Sequence, residues 1–64
     1  MNHQALAYLQ KEIDKVREDQ TVFLSGGGAK DFAEYRHVCG VIRGLTHADQ
    51  LVKDLAKKLE YSDD

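Results

Sequence analysis

Apolar side chains recur at helical spacing along two stretches of this chain, and a run of glycines separates them. From Asn2 to Leu24 there is neither glycine nor proline; apolar residues fall at Leu6, Leu9, Ile13 and Val16, and the register continues through Gln20 to Phe23. Steps alternating between three and four residues place these positions along one face of an α-helix. Ala5 and Tyr8 widen the stripe, while Lys11, Glu12, Asp14, Lys15, Arg17 and Glu18 supply a charged opposite face. Gln20 interrupts the seam. It reads either as the half-buried end of the helix or as a polar residue that fixes pairing register, a device of coiled coils.

Ser25-Gly26-Gly27-Gly28 ends this helix. Glycine takes the left-handed conformation at a helix C-terminus without a Cβ penalty. A phosphate-cradling loop would need a strand before the glycines and Lys-Ser or Lys-Thr at the right distance after them. Here the glycines follow a helical pattern and Lys30 precedes Asp31, so the segment reads as a plain turn.

A second helix is predicted over residues 29–60. Asp31 and Glu34 stand near its start and Lys57 and Lys58 near its end, each sign complementing the helix dipole. Its apolar set is Phe32, Tyr35, Val38, Cys39, Ile42, Leu45, Val52, Leu55 and Leu59, with Val41 and Leu51 off the main line. The apolar surface is thus broader than one hairpin partner needs. Residues 61–64 form an acidic tail. The expected fold is all-α: one domain, an antiparallel helical hairpin with helices over 2–24 and 29–60 and a turn over 25–28. At 1.5 Å per residue the helices would be about 33 and 45 Å long, so the second would overhang, leaving Val52, Leu55 and Leu59 short of a partner.

Gly40 and Gly44 complicate that picture. Each glycine inside a helix costs about 1 kcal/mol relative to alanine. Gly44 could break the helix, with Thr46 capping a third one and Asp49 completing a capping-box-like pair. The absence of proline and the unbroken apolar period favour one continuous helix. The four-residue spacing puts both glycines on one face, where small residues let two backbones approach closely. That crossing would lie within the hairpin or against another molecule.

Size changes the reading. A chain of 64 residues buries only about 60% of the surface its unfolded form exposes. Small scaffolds compensate with disulfides, metals or oligomerisation. One cysteine makes no internal disulfide and no ligand cluster stands out, so oligomerisation is the remaining route. A net charge of -2 with mixed signs disfavours a nucleic-acid binder, which normally shows a basic stripe. No apolar run approaches the roughly 18 residues of a membrane span, and the start lacks the features of a secretory signal. Cys39 fits a reducing compartment.

Candidate chemistry is sparse. His3, His37 and His47 are scattered, and His37 and Cys39, two apart on a helix, diverge too far to share a zinc ion, which wants four converging ligands. Cys39 sits on the apolar stripe as a small hydrophobe. Lys30, Arg36, His37 and Arg43, with Tyr35, could touch phosphate or an acidic protein surface, although Asp31 and Glu34 dilute that charge. A helix-turn-helix over residues 38–55 would aim Asp49 and Asp54 at DNA phosphates, which is unfavourable. No acid, base, nucleophile or metal set converges, so the expectation is a non-enzyme without cofactor or metal.

The segment Ala29-Lys-Asp-Phe-Ala-Glu-Tyr-Arg-His-Val-Cys-Gly-Val-Ile-Arg-Gly-Leu45, together with the start from Asn2 to Arg17 and the Asp54-Leu-Ala-Lys-Lys-Leu59 end, resembles small proteins encoded among the particle-assembly genes of short-tailed bacteriophages. The resemblance spans most of the chain and carries no assigned activity. It implies a tailed-phage origin and a place in the virion, on the capsid or near the portal. Expected partners are therefore protein: a second copy of the chain, a phage capsid or portal protein, or both. The expected localisation is the virion or the host cytoplasm. The residues expected to carry binding are Tyr35, Arg36, Gly40, Arg43, Gly44, Leu51, Val52, Leu55 and Leu59. The alternative is a small phage regulator that occupies a groove on a host protein and inhibits it.

Overall fold

A computed structural model describes residues 3–62 of the chain. Two helices, α1 (His3–Ser25) and α2 (Phe32–Ser62), pack against each other as a rod of 52 × 15 × 13 Å. Among the described residues there is no strand. The acidic tail expected over 61–64 is overtaken by α2, which reaches Ser62; its last two residues, like Asn2, lie outside the described part.

The turn is built from both sides. Gly27 has φ of 77°, the left-handed conformation. Its N–H donates to the carbonyl of Leu24 at 3.0 Å, and the N–H of Gly28 donates to that of Phe23 at 2.8 Å. These two bonds make a Schellman ending, which satisfies carbonyls the helix would otherwise leave bare. Gly28 serves a second purpose: a Cβ there would meet the Phe23 ring at 2.5 Å and the Phe23 carbonyl at 2.8 Å. Ser25 thus belongs to α1 rather than to the turn. Gly27→Ala forces an L-residue into the left-handed region and is expected to cost about 1–2 kcal/mol, read as a lower midpoint in urea unfolding.

α2 starts three residues later than the pattern of apolar positions predicts, and Asp31 is the reason. Asp31 Oδ1 accepts the N–H of Glu34 at 2.8 Å, and Glu34 Oε1 accepts the N–H of Lys30 at 2.8 Å. The first full helical bond runs from the N–H of Tyr35 to the Asp31 carbonyl at 3.0 Å. Asp31 is therefore the N-cap and Glu34 its N3 partner, a near relative of the capping box. From there α2 continues unbroken through Gly40 and Gly44. Thr46 donates its hydroxyl to the Ile42 carbonyl at 2.9 Å inside the helix, so it caps no third helix and the three-helix alternative falls.

Arg17 fixes how the helices meet. Its Nη1 lies 3.4 Å from Thr46 Oγ1, to which it donates, and 4.0 Å from Asp49 Oδ2. Leu6 stands eleven residues earlier, about 16 Å back along α1. Asp19, Gln20 and Phe23 line one hollow with Glu34, His37 and Val38, so stepping fourteen residues back from Gln20 along α1 sets Leu6 level with about residue 51 of α2. Leu6 is 2% exposed, the most buried of the core side chains, and Val52 and Leu59 are half-buried. α2 has 31 residues against 23 for α1, so the second helix is the longer of the two, as expected.

The seam also differs from the predicted stripe. On α1 it holds Leu6, Gln10, Ile13, Arg17, Gln20 and Leu24, again at helical spacing. Leu9, Val16 and Phe23 are 43%, 45% and 41% exposed. The apolar arc of α1 is wider than the strip one helix can cover, and Arg17, expected on the solvated face, instead turns into the seam to reach α2. On α2 the seam holds Val38, Ile42, Leu45, Asp49, Val52, Ala56 and Leu59. Phe32 and Tyr35 stay exposed and take no part in it.

Candidate interaction face

The displaced apolar positions gather on one side of the rod. Leu9, Val16 and Phe23 are spaced by seven, two helical turns, and so occupy one flank of α1. His37, Val41, Gly44, Ala48, Leu51 and Leu55 step by four and three along one flank of α2. A hollow of about 350 Å³ is lined jointly by Asp19, Gln20 and Phe23 from α1 and by Glu34, His37 and Val38 from α2. The two flanks therefore lie on the same side of the seam. Glu12, Asp19 and Gln20 on α1 and Glu34 and His37 on α2 interrupt a face that is otherwise apolar or glycine.

The opposite side is polar. Arg17 pairs with Asp14 as well as approaching Thr46 and Asp49. Lys53 Nζ sits 2.9 Å from Asp49 Oδ2, one helical turn away. Asp49 is itself 5% exposed, a buried carboxylate between two cations. Gln50 donates to Asp54 Oδ1 at 3.0 Å further along. The hairpin is thus two-sided, with ion pairs on one flank and uncovered aliphatic groups on the other.

The nine residues predicted to bind a partner separate into three places. Tyr35, Arg36, Gly40 and Arg43 join Cys39 around a shallow depression of about 230 Å³ on the outer surface of α2. There Tyr35 titrates above the usual tyrosine value of 10.0, first because of a side-chain hydrogen bond with Cys39, then through the cysteine's charge and slight desolvation; Arg36 opposes the shift. The Tyr35 ring also stacks near Phe32, with centroids 6.1 Å apart. Gly44, Leu51 and Leu55 belong to the apolar flank. Val52 and Leu59 are in the seam. The glycines do not mark a crossing within the hairpin: a Cβ at Gly40 or Gly44 would meet nothing within 4 Å.

Leu9, Val16 and Phe23 are absent from the predicted binding set because the pattern assigns them to the intramolecular core. Arg17 and Asp49 are absent too. Asp49 was legible as a seam residue, since Leu45 plus four lands on it and Val52 follows three later. Among the described residues no group of three His, Cys, Asp or Glu side chains could hold a metal ion, and no helix is long and apolar enough to cross a membrane. The chain matches no protein-family model, and no curated protein or solved structure matches it.

Proposed function

We propose that this protein is a structural or assembly component of a tailed-phage particle, acting as a helical protein–protein interaction module on the capsid or portal region. The observation that carries the interaction role is the one-sided face: Leu51 is 57% exposed, and Leu9, Val16, Phe23 and Leu55 are each around 40% exposed along it. Five of the nine large exposed apolar side chains among the described residues lie on this flank, with the ion pairs on the other, and such a row marks a surface that another protein covers. The placement in a phage particle rests on the resemblance of residues 29–45 and both ends of the chain to particle-assembly proteins. Mass spectrometry of purified particles tests it. The expected result is recovery of the chain at a fixed ratio to the portal or capsid protein through density-gradient purification. Loss from the particles, with co-purification on a host enzyme from infected cells, overturns the proposal in favour of an inhibitor.

A further inference from the structure

The proposed function leaves the occupant of the apolar face open, and three observations bear on it. The first is area. The accessible surface is 5152 Å² for a chain of 7.2 kDa, whereas a folded monomer of that mass exposes about 4,100 Å². The excess, about 1,000 Å², is close to the roughly 800 Å² that each partner contributes to a standard interface. The second is shape. Near the middle of α2 its flank narrows to Gly44 and Ala48, while the α1 flank presents the bulk of Leu9, Val16 and Phe23. Each hairpin therefore carries both a notch and the bulk to fill one.

The third observation is charge. The α1 flank carries two carboxylates, Glu12 and Asp19, between its apolar positions, whereas the α2 flank carries Glu34 only at the turn end, then His37 and no acid on to Leu55. Stacking α1 on the α1 of a second copy would set these carboxylates against their own images. Stacking α1 on the partner's α2 leaves Glu12 and Asp19 opposite a mostly uncharged flank and seats bulk over notch. From these we infer that the occupant is a second copy of this chain, packed flank to flank about a two-fold axis parallel to the helices. The result is a four-helix bundle in which neighbouring helices run antiparallel. The inference rests on reading the flank as an interaction surface and adds the identity of the partner.

Sedimentation equilibrium of the purified full chain at micromolar concentration tests it. The expected mass is about twice 7.2 kDa. Leu9→Glu and Leu51→Lys, both at exposed positions of the single hairpin, should each weaken dimerisation at least about tenfold while helical circular dichroism is retained. Mixing the two variants in equal amounts should restore the dimer, because the carboxylate introduced on one copy then faces the ammonium group introduced on the other. Should Leu9→Glu lose its helicity, Val16→Glu replaces it in the same comparison; should Leu51→Lys lose it, Leu55→Lys does. A helical monomer at every concentration overturns the inference, as does a dimer that both variants leave intact. Failure of the mixture to recover overturns the α1-on-α2 arrangement. Recovery from purified particles of a chain that sediments alone as a monomer would assign the face to a different protein, leaving the assembly role in place.

Discussion

Truncating Leu6 to alanine is expected to lower the unfolding free energy by about 2–5 kcal/mol, enough to leave much of the protein unfolded at room temperature. Leu6 and Val38 are the buried apolar side chains of the described chain, and Leu6 is covered almost completely. Deleting its branched end removes transfer energy and leaves a cavity that two helices joined at the far end close poorly. The informative control is Leu9→Ala, one turn along the same apolar pattern. With Leu9 43% exposed, its loss in dilute protein should cost no more than about 0.5 kcal/mol. Urea unfolding followed by circular dichroism distinguishes them. Equal midpoint shifts would mean that α1 is rotated differently from the arrangement described.

The second large effect is expected at Asp49. Asp49→Ala leaves Arg17 and Lys53 facing one another across the seam with no carboxylate between them, at a cost of about 1–3 kcal/mol. The lower part of that range is favoured because Arg17 and Lys53 have side chains 28% and 56% exposed and can rehydrate. The double variant Arg17→Leu with Asp49→Leu should behave oppositely. It extends the row of Leu45, Val52, Ala56 and Leu59, and replacing both members of a buried ion pair by well-packed apolar groups is often neutral or stabilising. A double-mutant cycle of Arg17→Ala with Asp49→Ala should return a coupling of about 0.5–1.5 kcal/mol. A coupling of zero would show that Arg17 does not register the two helices.

Helical spacing made the two helices legible, and the glycine run made their connection legible. What spacing does not report is rotation about each helix axis. Leu6 and Leu9 belong to one apolar arc, and either edge of that arc could have faced α2. The choice between them depends on a contact between residues 17 and 49, far apart in sequence, so no local pattern contains it. The start of α2 was misplaced for a related reason: Ala29 and Lys30 are good helix formers, but Asp31 caps better than it propagates. Gly40 and Gly44 were read as contacts because small residues often are, whereas the side of α2 they occupy follows from the same unseen rotation. The candidate face inherits this history. Its α2 half was partly visible as apolar residues off the main line, and its α1 half was hidden inside an expected core.

The hydrogen-bonded turn has a consequence for how the rod opens. In an antiparallel hairpin, sequence separation between facing residues grows steadily from the tip, so the loop closed by each contact lengthens with distance from Gly27. The Schellman ending and the Asp31 cap prepare the short-loop end, where the two helices can meet with little chain entropy lost. Leu6, the most buried core residue, lies far from the turn and so closes one of the longest loops. The rod is thus tightly clasped at an end where separation is entropically easiest, and local opening spreads from there toward the glycines. A protein arranged in this way behaves as a pair of tongs with its spring at Gly26–Asp31, held shut along the seam by Val38, Arg17 with Asp49, and Leu6.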